Sequence, residues 1–210
     1  MHAQNDSLAF GDKKKIPDGL KGKIYFLAEN TEKLPYFDTL KSMGELYVKK
    51  LDIPERPWTT GFPGVSGRNE WFAIVYTGYF RVKKAGHFTF RLLSDDGAKL
   101  YIDGKLVINN DGIHGPGARL GDVDLNSSKH SIRVEYFQGP AVQIALQLFV
   151  TMGNEVEQIF PGDNFVLSSP ADSKSSWLKY GLYIAILLIL LLLFVWWKRR
   201  SKKHPTPKPA

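Results

Sequence analysis

The chain has 210 residues, with 12 prolines, 19 glycines, no cysteine and a formal net charge of +7. Hydrophobic content of 43% and charged content of 23% are those of a globular chain and exclude wholesale disorder; the missing cysteine excludes a disulfide framework, a thiolate zinc site and a catalytic thiol. Six positive charges, Lys198, Arg199, Arg200, Lys202, Lys203 and Lys208, fall in the last thirteen residues, so the remainder is close to neutral and no nucleic-acid-binding surface is expected.

Residues 1–19 are polar and contain Lys13, Lys14, Lys15, Pro17 and Gly19, which reads as a tether. From residue 20 the pattern is mainly β. One short helix is expected at Leu34–Met43, and Pro54, Pro57 and Pro63 mark residues 54–67 as a loop. Phe88, Phe90 and Leu92 alternate with His87, Thr89 and Arg91, giving one apolar and one polar face at period two. Leu100-Tyr101-Ile102 and Leu106-Val107-Ile108 flank Asp103-Gly104, a two-residue hairpin signal. Ile132, Val134 and Tyr136 alternate again, as do Val142, Ile144, Leu146 and Leu148, with Gly139-Pro140 as the turn between them. Short strands with such punctuation predict an antiparallel β-sandwich over 20–167. His87 and His130 fall at polar strand positions and are expected to be solvated. Trp58, Phe62 and Trp71 read as core aromatics, with stacking on a sugar ring as the alternative.

Residues 168–176, SSPADSKSS with its neighbours, cannot bury a core and read as a stalk reaching roughly 20 Å. Tyr180 to Trp197 is an uncharged apolar run whose helix would span roughly 27 Å, close to a hydrocarbon core. Trp177 and Tyr180 at one end, with Trp196 and Trp197 at the other, form an aromatic belt, so a transmembrane helix is expected over 177–197. Lys198, Arg199 and Arg200 open a basic tail, 198–210, expected in the cytoplasm, which places the N-terminal domain outside, in the periplasm or at the cell surface. Such a topology needs an export signal, and Met1–Phe10 lacks an apolar core. A removed signal peptide is the favoured explanation; a tail-anchored protein is the alternative.

The ordered succession of Gly22-Lys23-Ile24-Tyr25, Leu34-Pro35-Tyr36-Phe37, the block from Gly86 to Gly104, Asn110-Asp111-Gly112 with His114-Gly115, and Lys129 to Phe137 resembles the protective-antigen-type (PA-fourteen) domain family over about residues 20–165. The resemblance implies a β-sandwich found in toxins, adhesins, glycosidases and surface proteins, with carbohydrate binding as its commonest role. In flocculin-like adhesins of similar sequence, adjacent aspartates at the position of Asp95-Asp96 hold a calcium ion that also touches sugar hydroxyls. Hard oxygen ligands suit that ion, and Asn109, Asn110 and Asp111 are candidate further donors. The alternative is that Ser94-Asp95-Asp96-Gly97 is a turn whose carboxylates accept backbone N–H groups. His114 and Asn110 are candidate ligand-facing residues.

Nothing in the sequence supports catalysis: it holds no nucleophile elbow, phosphate-cradling loop or zinc motif, and no spacing makes Glu70 and Glu135 an acid/base pair. Two readings follow. The first is an accessory subunit, an exported sandwich docking against other integral membrane proteins in a larger complex. The second is a calcium-dependent carbohydrate-binding receptor or adhesin.

Overall fold

The computed structural model describes residues 16–168 together with Pro170, Leu191 and Trp196. The chain divides into two compact units, Met1–Pro170 and Ala171–Ala210. In the first, twelve strands form two antiparallel sheets: β1 (Leu20–Phe26), β2 (Gly44–Val48), β3 (Asp52–Pro57), β4 (Phe72–Val82), β5 (Gly86–Asp95), β6 (Ala98–Ile102), β7 (Lys105–Asn110), β8 (Gly117–Leu125), β9 (Lys129–Gln138), β10 (Gln143–Met152), β11 (Gln158–Ile159) and β12 (Phe165–Ser168). Seven strands make one sheet in the order β2-β1-β4-β9-β6-β7, with β12 also on β4; the five-stranded sheet runs β11-β10-β5-β8, with β3 also on β10.

Period-two alternation drives this arrangement. Phe88, Phe90 and Leu92 of β5, Ile132, Val134 and Tyr136 of β9, and Ile144, Leu146 and Leu148 of β10 all enter one buried core between the sheets. Each such side chain contributes roughly 1.5–3 kcal/mol on burial. Phe80, Phe160 and Phe165 meet edge to face at one end, with centroids 5.1–5.6 Å apart; Phe62, Phe72 and Tyr136 pack together at the other. β1 and β12 lie in line along one edge of β4, covering Phe72–Thr77 and Tyr79–Val82 respectively. Gly78 sits at their junction, where a Cβ would lie 2.6 Å from the Leu20 side chain. The Asp103-Gly104 hairpin forms as expected, with φ of 50° and 76°, the left-handed pair that a type I′ turn requires.

Three expectations need correction. Only a single 3₁₀ turn, Phe37–Thr39, forms within Leu34–Met43; the segment instead lays Leu34, Phe37 and Leu40 over Tyr25, Val75 and Phe137 on the outer face of the larger sheet. Residues 54–57, read as loop, belong to β3, a strand flanked by a register shift at Ile144/Leu146; prolines are tolerated where a strand needs few ladder donors. His130 is buried rather than solvated, because it shares the inward parity of Ile132 and Val134. Its Nδ1 lies 2.6 Å from Asp103 Oδ2 and its Nε2 3.0 Å from the Asn126 carbonyl, pinning the β6–β7 turn to the β8–β9 turn. His87 is exposed and meets Asp124.

Among the described residues no helix is long and apolar enough to cross a membrane. The expected span at 177–197 lies outside them except for Leu191 and Trp196, both helical; Trp177, Tyr180, Trp197, Lys198, Arg199 and Arg200 also lie outside.

Candidate functional site

β5 ends in the core pattern with Ser94 on its inward face, and the chain then turns through Asp95, Asp96 and Gly97 into β6. The Asp95–Asp96 peptide is cis. Both aspartates are buried, at 3% exposure. Gly97 is required by packing: a Cβ there would strike the Phe137 ring and lie 2.8 Å from the Gly112 amide nitrogen.

Asp96 joins two loops. Its Oδ1 accepts the His114 backbone N–H at 3.1 Å, and its Oδ2 accepts the Gly139 N–H at 2.7 Å and the Gln138 side-chain amide at 3.4 Å. Below the pair, the Tyr136 hydroxyl lies 2.6 Å from both the Asp95 carbonyl and Gln138 Oε1, and Gln138 Nε2 donates to the Gln143 carbonyl. Asn110 donates to Ser94 Oγ at 2.9 Å and to the Gly117 carbonyl. The rim is tied in as well, since Glu70 accepts the Ala141 N–H and Glu55 accepts from Gln143.

Burial, then the charge of Asp96, pushes the Asp95 carboxyl up to about 6, with only partial relief from Gln138 and His114. Burial also raises Asp96, against the N–H groups of Gly139 and His114. Among the described residues no lysine or arginine acts on either carboxyl. Two adjacent buried carboxylates with no lysine or arginine partner are an unfavourable arrangement that a bound cation relieves.

The structure therefore brings Asp95 and Asp96 together with the backbone N–H of His114, and it spends the other candidates elsewhere. Asp111 is held at 2.7 Å by Lys99 and accepts the Leu34 N–H, so its carboxylate staples the 27–43 segment. Asn109 is exposed and accepts the Asp111 N–H. The His114 ring lies between the Gly115 and Asn110 carbonyls, 2.7 and 3.0 Å away, and braces its own loop. Phe62 is core, Trp58 packs against that core, and Trp71 joins the outer cluster. Gln138 was missed in the sequence, although its signal was present: it is a polar residue at an inward position directly after Ile132, Val134 and Tyr136.

As for a metal, the described residues hold no group of three or more His, Asp or Glu side chains able to ligate one. Two carboxylates suit a hard, oxygen-seeking cation that takes its remaining ligands from backbone carbonyls, water or a bound hydroxyl. The oxygen donors fit calcium in kind.

These features define an antiparallel β-sandwich module with a carboxylate-centred site among the loops at one end. The PA14 domain profile matches residues 36–159, more than half of the chain, and the chain belongs to the PA14 domain family. Similar solved structures include a "PA14 sugar-binding domain from RTX adhesin" (18% identity, TM-score 0.59, covering 74% of this chain and 100% of that one) and the PA14 domain of the antifreeze protein MpAFP (15%, 0.58, 75% and 96%). A third is an anti-sigma factor domain-containing protein from Clostridium clariflavum (23%, 0.59), of which 74% of this chain matches 48%, so the match spans about half of that protein's length. No curated protein matches the chain.

Proposed function

We propose that this domain binds carbohydrate in a calcium-dependent manner through the Asp95–Asp96 corner. The observation that carries the proposal is the pair of buried adjacent carboxylates at the loop end of the sandwich, with no lysine or arginine partner among the described residues and only His114 to offset their charge. Bound calcium would supply a positive centre able to accept vicinal sugar hydroxyls as ligands. Asp96, fixed by Gly139 and His114, holds the two loops at a set spacing; Gln138 and Tyr136 hold Asp95 from beneath. The printed description of the RTX adhesin domain as sugar-binding lends support in kind.

The cellular setting proposed is the membrane surface, with the sandwich outside the cytoplasm and the C-terminal segment as anchor. A partner complex of integral membrane proteins is the alternative function; it rests on the C-terminal segment outside the described residues, and native purification in mild detergent tests it. The glycan proposal is tested by probing immobilised oligosaccharides with the full chain in millimolar calcium or in chelator. Binding that requires calcium and is lost in Asp96→Asn supports it. Glycan binding indifferent to chelator, or none across the sugars tested, refutes it.

A further inference from the structure

The two outer faces of the sandwich differ in charge. On the larger sheet, residues of outward parity fall in rows across the strands. Val166, Arg81 and Lys129 form one row over β12, β4 and β9; Ser168, Tyr79 and Ser131 form the next; Tyr47, Lys21, Thr77, Arg133 and Tyr101 form a third. Three cations on this sheet are paired, Lys21 with Glu45, Arg133 with Glu135 and Lys99 with Asp111. Arg81, Lys129 and Lys23 are exposed and have no acidic partner among the described residues. Lys129 Nζ sits 3.8 Å from the Tyr79 ring centroid. The smaller sheet presents the opposite sign, with Asp122, Asp124 and Glu157 exposed around His87 and Arg91.

The basic rows also mark where the chain enters and leaves the fold. β1 and β12 abut at Gly78 on the edge of β4, so both ends of the domain emerge within this sheet. Lys13, Lys14 and Lys15 precede the first, and eight residues separate Ser168 from Trp177, where the expected membrane span begins. Val166, beside Arg81 on the edge strand, is 54% exposed. The cover of residues 27–43 lies over Tyr25, Ala73 and Phe137 at the other end of β4, beside the site; it reaches the third row, where Arg133 lies 5.8 Å from the Phe37 ring centroid, and its cluster does not include Arg81, Lys129 or Tyr79. Phe72 pairs with Gln138 and Arg81 with Lys129, so the Arg81–Lys129 row lies about 30 Å along the strand from the carboxylate corner.

We infer that this face, centred on Arg81, Lys129, Tyr79 and Val166, docks on a lipid surface bearing anionic headgroups. Exposed cations are drawn to such a surface within a Debye length, and amphipathic rings settle at headgroup level. In the membrane setting proposed above, on which this inference rests, only eight residues separate Ser168 from Trp177 and keep the domain near that surface, while the acidic face is repelled and turned away. The inference is independent of calcium and sugar, since none of its residues belongs to the Asp95–Asp96 corner.

Because the chain has no cysteine, one fluorophore can be attached through Thr77→Cys on the basic face or Thr151→Cys on the acidic face. The full chain is placed in nanodiscs containing headgroup-nitroxide lipid, with or without phosphatidylglycerol. The label at 77 is expected to be quenched several-fold more than the label at 151 when phosphatidylglycerol is present. That difference is expected to collapse at high salt and in the Arg81→Glu/Lys129→Glu variant. Equal quenching at the two positions, no quenching at either, or quenching at 77 that persists without anionic lipid overturns the inference; the salt arm decides it even where the double variant folds poorly.

Discussion

Asp95→Asn is expected to stabilise the calcium-free protein while abolishing its response to calcium. The Asp95 carboxyl is raised from 3.8 to about 6 by burial and by Asp96. The native state therefore favours its protonated form, so the group's contribution to stability is full below about pH 4, is lost as pH rises towards 6, and stays lost above that. The linkage amounts to about 3 kcal/mol at neutral pH. Asparagine keeps the shape and removes the charge, and it leaves the Asp95 carbonyl free to accept from Tyr136. At ~3 °C per kcal/mol for a domain of this size, the variant's midpoint at neutral pH should rise by up to roughly 9 °C. Wild type in turn should gain about 2.7 kcal/mol at calcium a hundredfold over Kd, and the variant nothing. Thermal and urea unfolding of the full chain in mild detergent, followed by tryptophan fluorescence across pH 4 to 8 with and without calcium, measures both. A variant no more stable than wild type at neutral pH without calcium, or one that keeps the calcium gain, refutes the reasoning.

Tyr136→Phe should cost about 1–3 kcal/mol in the same titration, because it strips a buried hydroxyl from the Asp95 carbonyl and from Gln138 Oε1. Gly97→Ala should destabilise by about 1–3 kcal/mol through collision with Phe137 and the Gly112 amide, and should weaken calcium binding in calorimetry because both loops are displaced. Phe160→Ala, fully buried among Phe80, Phe90 and Phe165 at the far end of the core, should cost about 3–5 kcal/mol while leaving the calcium affinity of the folded protein unchanged.

The strands were legible because Phe88-Phe90-Leu92 and Ile132-Val134-Tyr136 write their burial at period two, and Asp103-Gly104 can form little besides a hairpin turn. Leu34–Met43 was misread because Leu34, Phe37 and Leu40 have helical spacing. Here that spacing serves a cover packed on the outside of a sheet, which only tertiary contact reveals. His130 was misread because a histidine in a strand suggests solvent; its parity with Ile132 was the better guide. At the site, Asp95-Asp96 stood out as a pair, yet chain proximity suggested Asn109 and Asp111 as companions. The fold supplies Gln138 and Gly139 instead, some forty residues further along, because β9 runs beside β6. Asp111 is taken by Lys99, which the β6–β7 register sets opposite Asn109 and which reaches diagonally to the residue just beyond β7.

The central claim is that the Asp95–Asp96 corner holds calcium, and terbium luminescence addresses it most directly. Terbium favours the same oxygen donors, and the Tyr136 hydroxyl lies 2.6 Å from the Asp95 carbonyl, near enough to sensitise an ion held by the pair. Excitation of tyrosine should give terbium emission that saturates, is displaced by calcium, and is absent in Asp96→Asn. Emission that calcium does not displace, or that survives Asp96→Asn undiminished, would contradict the account.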